Sequence, residues 1–215
     1  MLKGIELAAV YSFMALLPIV NPVGTAPIFL AMIAGASPQQ HRQLAWRVSL
    51  YAFVLLVAST LLGGVIIRFF GIQIAHVEIA GGLIVFHTAW QMLNETRGSE
   101  ASTEAGEGKG LEEMAFFPLT LPITAGPGCI AVAIAVGSRA AHPPLRAVPE
   151  HYLGTLAGVL GVALAVWLCF RFATTVFDKL GRTGTTVVTK LSAFVLLAIG
   201  VEIFWSGLAQ LIKAL

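Results

Sequence analysis

Six stretches of roughly twenty residues, each almost free of charge, dominate this chain and leave it one kind of solvent to fold in. A helix needs about 20 apolar residues to cross about 30 Å of hydrocarbon. Segments within Leu7–Ile33, Val48–Ile67, Ile72–Leu93, Met114–Ser138, Tyr152–Phe170 and Leu191–Ile212 all qualify. Charged residues make up 11% of the 215, against about 25% in soluble domains, too few to clothe a water-facing surface. An ordinary soluble enzyme, a disordered chain and a collagen are therefore excluded. The expected fold class is all-α: a polytopic membrane protein of six transmembrane helices.

The start, Met1–Gly24, imitates a signal peptide, with Lys3 ahead of an apolar run. That run stays uncharged from Leu7 to Gln40, past the roughly 7–15 residues of a signal core, so it is expected to be embedded and retained. The net charge is +2 and the bases are scattered, so nucleic acid is not an expected partner; the lipid bilayer is. Cys129 and Cys169 each sit in an apolar run without a CxxC and read as small buried hydrophobes. No HExxH or two-His-carboxylate spacing occurs, so neither a metal nor a cofactor is expected.

The Glu-, Gly- and Ser-rich linker 95–113 cannot bury anything and separates two sets of three spans, residues 1–94 and 114–215, within a single transmembrane domain. The halves look related. Pro18-Ile19 before Gly24 matches Pro122-Ile123 before Gly128, 104 positions on, and Leu83-Ile84-Val85 matches Phe194-Val195-Leu196, 111 positions on. The difference implies about seven extra residues in the last loop. Because three is odd, the second repeat must insert upside down, the inverted-repeat plan of many secondary transporters. Eight Lys and Arg on the linker side against five on the terminus side point the linker to the cytoplasm and both termini outside.

The first and fourth spans should be broken. Pro18, Asn21, Pro22, Gly24 and Pro27 interrupt one; Pro118, Pro122, Gly126, Pro127 and Gly128 interrupt the other. Proline costs about 3 kcal/mol inside a helix, and its freed backbone groups must face protein or a cavity rather than lipid. The two breaks are thus expected to face each other near midplane. Half-helices starting near Pro22 or Gly24 and near Pro127 would offer N–H groups and a positive dipole end to a carboxylate. The carbonyls before them suit an ammonium, while Asn21, Thr25 and Thr124 add side-chain partners. A small zwitterion fits that description. Proline kinks with packing glycines are the plainer reading.

At these residues Asn21-Pro22-Val23-Gly24-Thr25-Ala26-Pro27-Ile28-Phe29 resembles the NPxGxxPxF signature of the MarC family. Pro118-Leu119-Thr120-Leu121-Pro122-Ile123-Thr124-Ala125-Gly126-Pro127-Gly128 resembles that family's second signature, PLxxPxxxGPG. The resemblance implies an inner-membrane protein grouped with LysE-type exporters, some of whose archaeal relatives are described as transporters of small neutral amino acids. By position it points to Asn21, Pro22 and Gly24, and to Gly126, Pro127 and Gly128. Relatives usually carry an arginine in the stretch before the paired glycines, where this chain has Glu78, and a glycine where it has Ala89.

An ionised acid at the bilayer centre costs at least about 2.5–3.5 kcal/mol, so Glu202 in the sixth span must be protonated, paired or wet. It reads either as a proton-coupling or ammonium-binding acid or as a packing residue. Its counterpart in the first half is Gln91, and His87 lies one turn before that, so a proton relay and a hydrogen-bonded packing role are both open. Glu78, nearer a span end, is expected to snorkel or to pair with His76. His41, His142 and His151 are expected to be solvated at loop edges. Gly154, Gly158 and Gly161 permit close helix approach and include a candidate homodimer face. The expected function is secondary transport or export of a small polar solute such as a neutral amino acid. A non-transporting sensor or assembly component is the alternative, and enzymatic activity is not expected, since no nucleophile–base pair occurs.

Overall fold

A computed structural model describes residues 2–33, 36–94, 111–140 and 148–213; linker residues 95–110, His142 and Arg146 fall outside them. The described residues are helical almost throughout. Helix α1 (Leu2–Val20) is followed after one residue by α2 (Pro22–Met32), then by α3 (Pro38–Phe69) and α4 (Ile74–Asn94). Helix α5 (Leu111–Met114) runs on as a π-helical stretch, Ala115–Thr124. Helices α6 (Pro127–Ala140), α7 (Val148–Arg171) and α8 (Ala173–Lys213) complete the chain.

Four described helices are long and apolar enough to cross a membrane, and five if the bent pair Ala115–Thr124 and Pro127–Arg139 is one span. Helix α4 has the length, 21 residues, but is not among them. His76, Glu78, His87 and Gln91 dilute it, and Glu78 is buried. Large apolar side chains such as Leu7, Val65, Leu153 and Leu191 stand exposed along the outside, the face a bilayer would cover.

Both expected breaks are present. Helix α1 passes through Pro18 and stops at Asn21, whose left-handed backbone (φ 46°, ψ 56°) turns the chain before Pro22 opens α2. At the second break Pro118 and Pro122 follow cis peptide bonds, with extended backbone at Phe117 and Leu121, and the chain bends by 68° before Pro127 opens α6. The last helix corrects the sequence reading. Instead of a loop leading to Leu191, helix begins at Ala173, pauses at Gly181 (φ 66°) and continues to Lys213.

Small residues set the packing. A Cβ on Gly82 would stand 2.5 Å from the Phe204 amide nitrogen, one on Gly200 2.6 Å from that of Phe86, and one on Gly207 2.6 Å from the Ala75 carbonyl. Lys190 Nζ donates to the carbonyls of Met92 and Leu93 at the far end of α4. Helices α4 and α8 therefore run antiparallel along their lengths. Helix α6 is antiparallel to α4 as well, with Gly128 against Val85, Ala131 against Gly81 and Arg139 against Glu78. Helices α1 and α7 run parallel: Gly154 meets Ile5 and Ala8, Gly158 meets Ala9 and Ser12, and Gly161 meets Phe13. The glycine stripe considered as a homodimer face is thus covered by α1 of the same chain. The start of α1 and the end of α8 lie at one end of the bundle, because Tyr11 and Gln210 both reach the Glu78–Arg139 pair.

Candidate functional site

The first break is largely self-sufficient. Asn21 Oδ1 accepts from the Gly24 amide at 3.1 Å, the Thr25 amide donates to the Asn21 carbonyl at 3.0 Å, and Pro22 has no N–H to offer. Of the first three residues of α2, only Val23 keeps an amide without a cap. A Cβ at Gly24 would collide with the Asn21 side chain, which explains glycine there. Asn21 is 9% exposed, and its Nδ2 finds no acceptor among the described residues.

The second break is different. Gly126 stands before α6 without a side chain to cap it, and Pro127 has no N–H. The Gly128 amide therefore stands in the first turn of a 14-residue helix without a cap from Gly126, at the positive end of the helix dipole, while the Cys129 amide lies against its own thiol. Both residues line a cavity of about 260 Å³. Thr25, Thr88 and Gln91 supply its polar side chains, and no lining residue is charged. Thr25 Oγ1 donates to the Asn21 carbonyl at 3.0 Å, which leaves its lone pairs to accept.

Of the residues singled out in the sequence, Thr25, Gln91, Gly126, Pro127 and Gly128 meet at this cavity. Asn21, Pro22 and Gly24 are not in its lining and shape the first break behind it. Thr124 is fully buried and donates its hydroxyl to the Leu119 carbonyl at 2.7 Å, so it holds the bend rather than facing the cavity. The proton-coupling candidates are dispersed: Gln91 lines this cavity, Glu202 lines a second one, and His87 lines neither.

The second cavity, about 350 Å³, lies along the same helices toward the terminus end. Glu78 is 5% exposed there, which corrects the expectation that it snorkels or pairs with His76. Its Oε1 faces Arg139 Nη2 at 3.4 Å, and its Oε2 accepts from Ser206 Oγ at 3.4 Å and from Gln210 Nε2. Arg139 Nη1 donates to the Tyr11 hydroxyl at 2.7 Å. Sequence reasoning left Arg139 in a loop; the available signal was Glu78 itself, since an acid inside a span requires a partner. His41, expected to be solvated, is 9% exposed; its Nε2 lies 2.8 Å from the Phe170 carbonyl and its ring packs on Phe29.

Such a bundle, with exposed apolar sides and two interrupted helices around a half-open cavity, defines an integral membrane protein that crosses the bilayer several times. The profile of the MarC family integral membrane protein matches residues 7–212, and the chain belongs to that family. It is 30% identical to the membrane protein YvbG of Bacillus subtilis over 96% of both chains. Identity to the inner membrane protein MarC of Salmonella typhimurium is 29% over 92% of both. A membrane protein of Archaeoglobus fulgidus is 32% identical over 93% of this chain and 91% of its own. No solved structure matches.

Proposed function

We propose that this chain is a secondary transporter that moves or exports a small polar solute without net charge, such as a neutral amino acid. The solute binds between the two breaks, in the cavity lined by Thr25, Gln91 and Gly128. One observation carries the reading: interrupted helices from the two halves of the chain meet across a small cavity whose lining has no charge. An excess charge on the solute would have no side-chain counterion there, whereas a carboxylate suits the uncapped start of α6. The volume of about 260 Å³ falls below the roughly 300–1,000 Å³ of drug-sized sites, which favours a metabolite over a drug.

We infer six spans in two inverted three-helix repeats. Contacts between the halves support this, because most recur when the halves are exchanged: α1 with α7 answers α3 with the Ala115–Thr124 stretch, α2 with α7 answers α3 with α6, and α2 with α8 answers α4 with α6. The antiparallel course of α4 and α8 is what odd-numbered repeats require. In this reading the repeats rock about the cavity to open it to either side.

Purified protein in liposomes should move radiolabelled neutral amino acids. Thr25→Val and Gln91→Leu, which keep approximate volume and remove hydrogen-bonding groups, should cut flux by about tenfold or more, the scale of a hydrogen bond to a charged group. Unchanged flux in both would overturn the site. Vesicles holding intact protein that move no solute would favour a sensor or assembly component.

A further inference from the structure

The terminus-side cavity has no part in the binding step above, yet the charged side chains lie there. Four helices contribute: Tyr11 from α1, Glu78 from α4, Arg139 from α6, and Glu202 with Ser206 from α8. Glu78 is satisfied by Arg139, Ser206 and Gln210. Arg139 spends one terminal nitrogen on Tyr11 and the other, at 3.4 Å, on Glu78, while its side chain remains 54% exposed. A guanidinium has five N–H donors in a planar fork, so donors remain for a second carboxylate. Glu202 precedes Ser206 by four residues and shares its face of α8, about 6 Å along the axis toward the middle of the bundle. No described residue bonds its carboxyl group. Glu78 and Arg139 cancel, so the cavity presents the remaining N–H donors of Arg139 and, from α8, the exposed carboxyl group of Glu202.

The geometry points to a second binding station in this cavity for a small α-amino acid zwitterion, its carboxylate on Arg139 and its ammonium on Glu202. The same four helices line both cavities, and Ile19, 7% exposed, belongs to the lining of each. The station thus lies end to end with the midplane site and is separated from it by the Ile19 side chain. Its place on a transport path rests on the function proposed above; the binding chemistry does not.

Binding can be read without transport. In a Cys129→Ala/Cys169→Ala background, Ser206→Cys introduces one thiol into the cavity wall, and the rate at which a small neutral thiosulfonate converts it to a mixed disulfide, releasing a sulfinate, is measured in detergent. Saturating L-alanine should slow the reaction by about tenfold, whereas propionate and alaninamide, which each carry one of the two charges, should slow it far less. Glu202→Gln has no described bond to lose and should fold; it should raise the half-protecting alanine concentration by about tenfold. Arg139→Lys, which keeps the charge for Glu78, should do the same. A modification rate indifferent to alanine, or equal protection in parent and both variants, overturns the station. Flux assays on the protein with its native cysteines separate the two ideas. Flux without protection removes the station and leaves the transporter; protection without flux does the reverse; neither removes both.

Discussion

Asn21 does two tasks with one side chain. It takes the left-handed backbone that costs most L-residues about 1–2 kcal/mol, and its Oδ1 caps the Gly24 amide. Asn21→Ala loses both and should lower stability by about 1.5–3 kcal/mol, whereas Asn21→Gly keeps the backbone and should lose less. Thermal unfolding in detergent orders the two; equal losses would show that the left-handed turn is not what asparagine serves. The Glu78–Arg139 pair invites a similar comparison. Removing Arg139 alone (Arg139→Met) leaves a buried carboxylate without its counterion and should cost about 1–3 kcal/mol, a modest figure because half the arginine is exposed. Adding Glu78→Gln should recover most of that loss, since an uncharged amide is far cheaper to bury. A double variant no more stable than the single one would mean that the charges are not coupled.

Among the elements, the two breaks were legible because proline and glycine act locally at Asn21-Pro22 and Gly126-Pro127, whereas Pro18 and Pro27, also expected to interrupt, lie inside α1 and α2 without ending them. The early start of α8 was hidden, because Thr174, Asp178, Lys179 and Arg182 make the segment polar without preventing helix. Partnerships were hidden too. Periodicity reports which face of a helix is apolar, not that Glu78 meets an arginine 61 residues away or that Ser49 reaches the Ala163 carbonyl at 2.6 Å. Close helix approach lies between these cases: the glycines announced it, and the structure supplied the partners. Gly200→Ala would press a methyl group onto the Phe86 backbone, 2.6 Å from its nitrogen, and should cost about 1–3 kcal/mol by prising α4 from α8. Gly71→Ala has nothing within 4 Å, but its φ of 68° carries the left-handed penalty alone, so it separates backbone strain from crowding. Unfolding midpoints for the two glycines check the distinction; a Gly200→Ala protein as stable as the parent would mean that the α4–α8 seam yields.

For the whole molecule, the decisive matter is which way the bundle sits. Lys190 lies at the α4 C-terminus, while Arg139 and Gln210 meet near the α4 N-terminus, so the two ends of the bundle carry different residues. Arg42, Arg47, Arg171, Lys179 and Lys190 belong to the linker end, and Lys3, Arg68, Arg139 and Lys213 to the terminus end. Positive loops stay in the cytoplasm, so the terminus end should face outward. The contrast in charge is small, and Arg139, half committed to Glu78, contributes less to it than a free loop arginine would. Fusions after residue 215 test the orientation with opposite signals: alkaline phosphatase, which matures only outside the cytoplasm, should be active, and green fluorescent protein exported as an unfolded chain should stay dark. The reverse pattern would invert the bundle. The station of Arg139 and Glu202 would then open to the cytoplasm, the Gln91 end of the other cavity would face outward, and the same two sites would describe uptake and export in exchanged order.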